Sequence, residues 1–459
     1  MQHIYREYDI RGVYGEDLTE KRVKLIGYFL GKRIKEIGDY AVVTYDARVH
    51  SPKLSDWLVS GLNAAEVIVL HGGMVPTPVN YFCNFNTFRV GGKDVVPAGG
   101  IQITGSHNPP EYNGFKITID KNPFFGEDIY ALGREVESNT SMAVPTETDS
   151  IKIDALGAYV DYLAKEFEDL KGFDPKIAVD CGNGAAGVAI DPLLERLDIP
   201  AHKLFFDPDG TFPNHHPDPS EEENLEDLKR LLQNGANYGF AFDGDGDRIA
   251  FLSRKYNFKG DILALFFAQT MNDPTVIGEV KCSQIMYDGI NEIGRAIMHK
   301  TGHSNLKVKL KETGADLAAE VSGHIFFNDR YFGYDDAIYT MFRILQMLKD
   351  GFDFDGEYEK LPKLYSTDEI KIETTDSKKF AIIDSLKKIL DSQREKLNIK
   401  DIVTIDGVRV IFDDGWGLVR ASNTTPILVT RYEAKSEEAL RRIMDTMSRL
   451  IEEAKKTVG

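Results

Sequence analysis

The run Tyr238–Phe242 is apolar and aromatic, and three carboxylates follow it at alternate positions, at Asp243, Asp245 and Asp247. Carboxylates this close together repel one another unless a cation holds them. The glycines between them permit turn conformations that other residues resist. The loop after a buried strand is the place where open α/β sheets carry their functional groups. The stretch therefore predicts an α/β fold with a divalent-cation site at the end of a strand.

Oxygen-only ligands favour Mg²⁺ over Zn²⁺. Arg248 follows the carboxylates directly and indicates that an anion such as phosphate meets the metal. A solvated acidic loop is the plain alternative. An EF-hand would need Gly at its sixth position and Glu at its twelfth, where this chain has Arg248 and Arg254. An aspartate nucleophile of the phosphatase type would have Thr or Val where Asp247 stands, so a third metal ligand is favoured.

The size and charge of the chain limit its class. A chain of 459 residues is too long for one core, so three or four domains are expected. A net charge of −18 disfavours nucleic acid and anionic membrane as partners. The cysteines, Cys83, Cys181 and Cys282, predict neither a disulfide framework nor a zinc cluster and fit a reducing cytoplasm. The sequence shows no signal-peptide pattern and no apolar run of membrane-spanning length, so a cytoplasmic location is expected.

Strand-like and helical patterns alternate through the first three quarters of the chain, which predicts α/β units of similar build. Polar, turn-rich stretches near residues 138, 254 and 351 mark the boundaries. The fold class expected is α/β, with three similar mixed-sheet domains and a smaller C-terminal α+β domain. The predicted domains are 1–149, 150–255, 256–364 and 365–459.

Ser106 lies in a turn between Gly105 and an Asn-Pro pair. A serine hydroxyl is a poor nucleophile unless a neighbour activates it. His107 is adjacent, but neighbouring side chains seldom point the same way, and the Gly-x-Ser-x-Gly elbow of hydrolases is absent. A phosphorylated serine needs only cations and placement. Ser106 is thus a candidate phosphoserine beside the predicted metal, and an ordinary turn is the alternative.

Two cationic residues are candidates for the same reaction. Lys116 lies in a strand-like run ten residues after Ser106, and neighbouring cations would loosen its proton, which suits a general acid–base. A solvated surface lysine is the alternative. Arg11 lies in the compact Tyr8–Gly12 segment, from which it could reach a phosphoryl group.

Two further loops are candidates for substrate binding. The segment Leu418–Pro426 offers the planar fork of Arg420 and small hydroxyl and amide donors after it, which suits a phosphate group. The segment Glu320–His324 offers a carboxylate, a hydroxyl and an imidazole that suit sugar hydroxyls, and His303 lies upstream. An ordinary hairpin tip and structural histidines are the alternatives.

The segment Gly182–Gly187 matches Gly-x-Gly-x-x-Gly after a strand, and Asp207 follows twenty residues later. This pattern supports a rival of another class, an NAD-dependent oxidoreductase. The rival leaves the Asp243–Arg248 loop, the Ser106 turn and the Arg420 loop without a role. A tight strand–helix turn that uses Gly for close packing is therefore favoured.

In combination, the motifs resemble those of the α-D-phosphohexomutases, most closely the bacterial bifunctional phosphomannomutase/phosphoglucomutases. The likeness runs in order along essentially the whole chain. The segments that carry it are Tyr8–Gly12, Thr104–Pro109, Asn113–Lys116, Asp243–Arg248, Gly302–Ser304, Glu320–His324 and Arg420–Pro426.

The resemblance implies four domains around a central cleft and an isomerase that acts as an intramolecular phosphotransferase. Such an enzyme interconverts hexose 1-phosphate and hexose 6-phosphate, of mannose and glucose, through a phosphoserine and a 1,6-bisphosphate. It also implies one Mg²⁺ per chain, glucose 1,6-bisphosphate as activator, and a monomer. A phosphoglucosamine mutase is the alternative within the family, although those enzymes usually carry Gln where Val321 stands and Gly-Thr-Asp-Gly in place of the Tyr8–Gly12 pattern.

The resemblance also assigns roles to individual residues. The expected metal ligands are Ser106, Asp243, Asp245 and Asp247. The expected catalytic residues are Ser106, His107, Lys116, Arg11 and Arg248. The expected substrate-binding residues are Tyr8, Lys281, His303, Glu320, Ser322, His324, Arg420, Ser422, Asn423 and Thr424.

Overall fold

The computed structural model describes residues 2–422 and 425–459. Within these ranges the chain forms four units, each built around a sheet of its own, and a separate two-stranded ribbon. This arrangement agrees with the predicted class of three similar α/β units followed by an α+β unit. Among the described residues, none of the helices has the length and hydrophobicity that a membrane span requires.

The first unit begins with a 3₁₀ turn, and the Thr19 hydroxyl caps its first α-helix by accepting a hydrogen bond from the Arg22 N–H. Its elements are the turn (Gln2–Ile4), β1 (Ile10–Val13), α1 (Glu20–Lys35), β2 (Tyr40–Tyr45), α2 (Ser51–Ala64), β3 (Ile68–Met74), α3 (Thr77–Cys83), β4 (Phe88–Val90), β5 (Lys93–Val95), β6 (Gly99–Ile103), β7 (Tyr112–Ile119), β8 (Asn122–Pro123), α4 (Glu127–Ser138) and β9 (Ser150–Lys152). The strand order of the sheet is β1-β7-β6-β2-β3-β9, with β8 beside β7, and the ribbon is β4-β5.

The second unit begins after Asp154, whose carboxylate caps a helix by accepting from the Gly157 N–H at 2.8 Å. Its elements are α5 (Ala155–Glu166), a 3₁₀ turn (Glu168–Leu170), β10 (Ile177–Asp180), α6 (Gly187–Arg196), β11 (Ala201–Leu204), a 3₁₀ turn (Glu222–Leu225), α7 (Glu226–Gln233), β12 (Tyr238–Phe242), β13 (Ile249–Ser253) and β14 (Asn257–Phe258). The strand order is β11-β10-β12-β13-β14.

The third unit has a helix that Asp336 caps, since its carboxylate accepts from the Tyr339 N–H at 2.8 Å. Its elements are α8 (Gly260–Gln269), β15 (Thr275–Glu279), α9 (Gln284–Ile293), β16 (Arg295–His299), α10 (His303–Thr313), β17 (Leu317–Ala319), β18 (Ile325–Phe327), α11 (Ala337–Lys349) and α12 (Phe354–Lys360). The strand order is β16-β15-β17-β18.

The fourth unit ends in a long helix that Ser436 caps, since its hydroxyl accepts from the Ala439 N–H at 3.1 Å. Its elements are β19 (Tyr365–Ser366), β20 (Ile370–Glu373), α13 (Lys379–Gln393), β21 (Asp401–Val403), β22 (Val408–Ile411), β23 (Gly415–Ala421), β24 (Ile427–Ala434) and α14 (Glu437–Val458). The sheet is antiparallel, of order β19-β24-β23-β22-β21, and β20 also pairs with β24.

Two short strands lie past predicted domain boundaries. Residues 150–152, which the sequence assigns to the second domain, form β9 and pair in parallel with β3 of the first sheet. The first sheet therefore extends past residue 149. The second sheet likewise extends past residue 255, because β14 (Asn257–Phe258) pairs with β13. An exposed polar strand at a sheet edge has no apolar pattern that would show which sheet it joins.

The first three sheets share one topology. Each contains a core of three parallel strands and an antiparallel fourth, in the orders β3-β2-β6-β7, β11-β10-β12-β13 and β16-β15-β17-β18. The third parallel strand and the antiparallel strand follow each other in the chain. Their connecting loops contain Ser106 in the first unit, the run Asp243–Arg248 in the second and the run Glu320–His324 in the third. The fold thus places the three predicted functional loops at equivalent positions.

The apolar cores also separate the fourth unit from the others. One cluster of buried side chains runs through the first three units, from Val42 to Phe354. The fourth unit has a core of its own, between Ile382 and Ala454. A small apolar group at Val280, Trp416 and Leu418 links the third unit to the fourth.

Candidate active site

The loop between β12 and β13 holds the three aspartates together. Asp243, Asp245 and Asp247 are fully buried, and an oxygen from each lies within 4.8 Å of the others. One carboxylate oxygen of Asp243 accepts from the backbone N–H groups of Asp247 and Arg248, both at 3.1 Å. These bonds fold the loop back on its first residue, so the carboxylates converge on one point.

This group fits a hard divalent cation. Asp245 Oδ1 and Asp247 Oδ1 are buried and have no hydrogen-bond partner among the described residues. Burial first, and then the charges of Asp245 and Asp247, raise the pKa of Asp243 well above its usual value. Burial and the charge of Asp245 also raise the pKa of Asp247. The loop therefore has unused carboxylate oxygens and an excess of negative charge, which suits oxygen coordination of a cation such as Mg²⁺.

The structure brings Ser106 to this loop. The Ser106 hydroxyl donates to Asp243 Oδ2 at 2.9 Å, although the two residues lie 137 positions apart. The backbone of Ser106 has φ +48°, in the left-handed region that non-glycine residues seldom occupy. Gly244 lies against this turn, and a Cβ at Gly244 would be 2.5 Å from the Ser106 carbonyl oxygen. The serine turn and the aspartate loop can therefore meet only because glycine stands there.

His107 also faces the Ser106 hydroxyl, with Nδ1 3.2 Å from Oγ. The expectation that neighbouring side chains point apart is wrong here, because the backbone turns through the left-handed region at Ser106. Burial, followed by the charge of Arg248, lowers the pKa of His107 well below its usual value. The imidazole of His107 is therefore neutral at physiological pH.

Lys116, on β7, points at the same carboxylates. Its Nζ donates to Asp245 Oδ2 at 2.7 Å and also to Asp247 Oδ2. Burial alone would lower the pKa of Lys116, but the carboxylates outweigh burial and hold that pKa above its ordinary value. The sequence predicts that neighbouring cations would loosen the proton of Lys116. The carboxylates around Lys116 have the opposite effect and hold that proton more tightly. Thr77 completes the contacts, since its hydroxyl donates to Asp245 Oδ2 at 2.5 Å.

Arg11 approaches the site from β1. Its guanidinium is buried and is paired with Asp9 through Nη2. Its Nη1 has no hydrogen-bond partner among the described residues. Burial opposes the charge of Arg11, but Asp9 outweighs burial and, with a contribution from Asp245, raises the pKa. A buried guanidinium with an unused donor suits an incoming phosphoryl oxygen.

Arg248 connects the metal loop to the third unit. Its Nε donates to His324 Nε2 at 2.9 Å. His324 Nδ1 lies 2.9 Å from Asp335 Oδ2, and Lys307 Nζ donates to Asp335 Oδ1 at 2.8 Å. Since Nε2 of His324 accepts, its Nδ1 carries the proton and donates to Asp335. Both nitrogens of His324 are therefore engaged within the protein.

The remaining third-unit residues lie near one another. Glu320 is buried, and its Oε1 accepts from the Gly302 N–H at 2.6 Å. His303 begins α10, and its Nδ1 is buried without a hydrogen-bond partner among the described residues. Ser322 is half-buried in the turn after Glu320. Lys281 Nζ pairs with a carboxylate of the fourth unit, Glu369, at 2.6 Å, so a substrate would have to compete with that carboxylate.

Contacts from the first and fourth units reach the same place. The Tyr8 hydroxyl donates to the Thr301 carbonyl oxygen at 2.8 Å. Asp406 accepts from the Thr301 N–H at 3.1 Å and from Arg420 Nε at 2.9 Å. The hydroxyl of Ser422 accepts from that of Thr425 at 2.8 Å. The predicted phosphate-binding residues Asn423 and Thr424 lie outside the described residues.

The glycine-rich turn that suggested a dinucleotide site is a packing feature. A Cβ on Gly184 would lie 2.7 Å from the Gly244 carbonyl oxygen, and a Cβ on Gly187 would lie 2.5 Å from that of Phe206. These glycines therefore let backbone segments approach each other, and Gly184 supports the metal loop itself. The structure agrees with the packing interpretation of this motif.

Sequence reasoning misses several residues that shape the site. Arg48 is buried and donates to the carbonyl oxygens of four residues of the serine loop, which are Ser106, Asn108, Pro109 and Tyr112. Thr77, Asp335 and Asp406 are missed as well. A local signal exists for Arg48 alone, because the run from Asp46 to Ser51 directly follows a strand, as the other functional loops do.

Four known family models match along the chain. They are described as phosphoglucomutase/phosphomannomutase alpha/beta/alpha domain I, over residues 2–141, domain II, over 157–256, domain III, over 245–365, and the C-terminal domain, over 369–450. The matches cover nearly the whole chain and follow its four sheets.

Individual proteins give the same result. The phosphomannomutase/phosphoglucomutase of Pseudomonas aeruginosa is 42% identical over 449 residues, which are 96% of this chain and 93% of the relative. A phosphoglucomutase of Neisseria meningitidis is 39% identical over 98% of this chain and 96% of the relative. A crystal structure of a phosphoglucomutase/phosphomannomutase family protein from Burkholderia thailandensis has a TM-score of 0.90 at 38% identity, with 99% of this chain and 98% of that chain covered. The chain therefore belongs to the phosphoglucomutase/phosphomannomutase family, as its fold and its site residues predict.

Proposed function

We propose that the protein is a phosphohexomutase that interconverts hexose 1-phosphate and hexose 6-phosphate of glucose and mannose. One observation carries this proposal: the Ser106 hydroxyl lies 2.9 Å from Asp243 in a buried group of three carboxylates. A buried serine beside a cation site and unused cationic donors suits storage and transfer of a phosphoryl group. The named relatives above support the same activity.

In the proposed reaction, phosphorylated Ser106 gives its phosphoryl group to the free hydroxyl of a hexose monophosphate. The bond from phosphorus to Ser106 Oγ breaks, and a bond from phosphorus to the sugar oxygen forms. Lys116 gives its proton to the departing serine oxygen and takes the proton of the sugar hydroxyl. The resulting 1,6-bisphosphate reorients in the cleft and returns its other phosphoryl group to Ser106 by the reverse steps.

Lys116 begins the reaction protonated, because the carboxylates around it raise its pKa, and a cation bound to those carboxylates would loosen the proton that Lys116 donates. His107, 3.2 Å from Ser106 Oγ, keeps the serine oxygen oriented. Arg11 and Arg248 stabilise the negative charge of the group in transfer. A Mg²⁺ ion held by the carboxylates of Asp243, Asp245 and Asp247 and by an oxygen of Ser106 would, when bound, neutralise further charge on that group.

The sugar and its second phosphate are proposed to bind on the opposite side of the cleft. Glu320 and Ser322 contact the sugar hydroxyls, and the residues around them are Tyr8, Lys281, His303 and His324. The phosphate that is not reacting is held by Arg420, Ser422, Asn423 and Thr424. Arg420 is suited to this role because Asp406 binds its Nε and orients its planar fork.

Other parts of the prediction remain proposals. The domain division 1–149, 150–255, 256–364 and 365–459 rests on composition and resemblance, and β9 and β14 lie just past its first two boundaries. One Mg²⁺ per chain and glucose 1,6-bisphosphate as activator rest on the resemblance alone. A monomer is proposed because one chain supplies every group named above. The cytoplasm as its location stays a prediction from the sequence.

Replacing the serine tests the function. Ser106→Ala should lower turnover of glucose 1-phosphate by at least about 10³-fold, because no residue then carries the phosphoryl group. The circular dichroism and melting temperature should change little, and exposed Ser138→Ala serves as the matched control. Retention of more than about a tenth of the activity would count against the phosphoserine.

A substrate panel separates the alternatives. Assays with glucose 1-phosphate, mannose 1-phosphate and glucosamine 1-phosphate should show turnover of the first two. A clear preference for glucosamine 1-phosphate would instead identify a phosphoglucosamine mutase.

A further inference from the structure

A cavity of about 500 Å³ lies between the β7–β8 hairpin of the first unit and helix α10 of the third. This volume is typical of sites for small organic ligands. None of the residues that line the cavity belongs to the set assigned above to the serine, the metal or the sugar phosphate. It is therefore a second candidate site, and its lining indicates what it could bind.

Aromatic rings form much of the wall. The rings of Phe85 and Phe332 stack with centroids 5.0 Å apart, and those of Tyr81 and Tyr334 lie 5.4 Å apart. Phe85 and Phe332 are only half-buried, so part of each ring is open to a ligand. A planar ring that inserts here gains both apolar burial and ring–ring contact.

Positive charge surrounds these rings. Lys121 and Lys311 are exposed at the cavity, and Lys121 Nζ lies 5.3 Å from the Phe85 ring centre. Lys307 also lines the cavity. Glu312 is the acidic side chain in the lining, but its carboxylate is engaged by Lys309 at 3.3 Å. In a chain with a net charge of −18, this local excess of lysine favours an anion.

We propose that this cavity binds a planar aromatic anion, meaning a flat ring system that carries one carboxylate, sulfonate or phosphate group. The ring lies against Phe85 and Phe332, and the anionic group meets the exposed Lys121 and Lys311 together with the more buried Lys307. Binding does not compete with the sugar phosphate, because the two sites share no residue.

The cavity is also linked to the catalytic groups. Lys307 lies 4.0 Å above the Tyr81 ring and donates to Asp335. Asp335 accepts a hydrogen bond from His324 Nδ1, and His324 Nε2 accepts a hydrogen bond from Arg248 Nε. An anion that draws Lys307 away from Asp335 loosens the support of Arg248. Occupancy should therefore lower kcat for the sugar phosphate, a readout that rests on the proposed function.

The binding test uses the full chain and the fluorescent aromatic sulfonate 8-anilinonaphthalene-1-sulfonate. We expect saturable binding of one molecule per chain that excess glucose 1-phosphate does not displace. The double variant Lys121→Glu/Lys311→Glu should weaken binding at least about tenfold, because attraction becomes repulsion at both positions. The matched control is Lys388→Glu/Lys396→Glu, which makes the same change of charge at exposed lysines of the fourth unit and should bind like the wild type.

A further variant fills the space without changing charge. Val308→Trp, also in the lining, should abolish binding of the dye while hexose phosphate still binds. Three outcomes would overturn the proposed binding site. They are absence of dye binding, displacement of the dye by glucose 1-phosphate, and an unchanged dye affinity in the Lys121→Glu/Lys311→Glu variant. Binding without any fall in kcat would overturn the link to Arg248. The dye titration needs no turnover, so its result is separate from that of the proposed function.

Discussion

Two interfaces between units bury charge in different ways. Between the first and second units, Ser106, Thr77 and Lys116 meet three aspartates, and two carboxylate oxygens have no partner among the described residues. Between the third and fourth units, Arg409 Nη1 donates to the carbonyl oxygens of Val280 and Cys282 at 2.8 and 2.7 Å. The first interface has an excess of carboxylate charge, whereas Arg409 in the second reaches backbone acceptors through Nη1, although its Nε has no hydrogen-bond partner among the described residues.

The third–fourth interface is completed by similar contacts. Arg431 donates to the Lys281 carbonyl oxygen at 2.6 Å, and the Arg409 guanidinium lies 3.8 Å from the centre of the Trp416 ring. Such contacts stabilise the assembly without any ligand. In this molecule, buried carboxylates with unused oxygens suit a ligand, whereas a buried guanidinium that donates to backbone carbonyl oxygens suits a structural joint.

The largest expected change in stability comes from the third–fourth interface. Arg409→Met should lower the free energy of unfolding by about 3 kcal/mol, because buried carbonyl oxygens lose their donors. Urea unfolding measures this loss, which should be the same with and without Mg²⁺. Arg441→Met, at an exposed arginine of α14, is the control and should change little. A loss confined to Mg²⁺-containing buffer would contradict the contrast between the two interfaces.

Mg²⁺ should act on the first–second interface. At a hundred times its dissociation constant, Mg²⁺ should stabilise the wild type by about 2.7 kcal/mol, because only the folded chain gathers the three carboxylates. EDTA should abolish turnover, and added Mg²⁺ should restore it. Asp245→Asn, which removes one carboxylate, should lose most of this stabilisation. Indifference of both activity and unfolding to chelation would remove the metal from the site.

Glu279, at the end of β15, resembles the first interface more than the second, since its Oε2 is buried without a partner among the described residues. Burial raises the pKa of Glu279 to about 7, although Lys281 opposes the shift. A raised folded-state pKa gives stability that is fully present below the unfolded pKa of about 4.3 and is lost as the pH rises through the folded pKa of about 7.

Glu279→Gln should therefore flatten the fall in unfolding free energy over that pH window, by an amount on the order of a few kcal/mol. Urea denaturation of the variant and the wild type at a series of pH values measures this change. The control is Glu292→Gln, at an exposed glutamate. An unchanged pH profile in the Glu279 variant would assign the dependence to another group.

The smallest expected change in stability comes from removing one negative charge from the group of three aspartates. Asp247→Asn should stabilise the protein in EDTA by about 1 kcal/mol, because one of the repelling carboxylates becomes neutral. The same variant should lose activity and most of the stabilisation by Mg²⁺. Melting curves of the variant and the wild type, recorded in EDTA and in Mg²⁺, give both the change in stability without metal and the stabilisation by Mg²⁺. Destabilisation in EDTA would mean that attraction to Lys116 outweighs repulsion at Asp247.

Much of the site could be predicted from local sequence. The apolar run Tyr238–Phe242 forms β12, and the carboxylates follow in a tight loop, as glycine and aspartate at those positions require. The meeting of Ser106 with this loop follows from chemistry, because a phosphoserine and a metal site serve each other. The similar build of the first three units is also predictable from the alternation of strand and helix patterns, even without a sequence repeat.

Other features depend on distant contacts. Arg48 looks like a surface residue in sequence, but it is buried because four carbonyl oxygens of the serine loop surround it. The direction of His107 depends on one left-handed backbone angle at Ser106. The pairing of β9 with the first sheet depends on an exposed, polar edge. Apart from the position of Arg48 directly after a strand, none of these features has a signal in the local sequence.

The equivalent hairpins of the first three units have an evolutionary consequence. One copy of a common design presents the serine, one the aspartates and one the groups proposed to face the sugar. The proposed roles would place reaction chemistry and sugar preference in separate segments of the chain. On that proposal, substitutions in the third hairpin should change the sugar preference while the first two hairpins continue to carry out the same transfer.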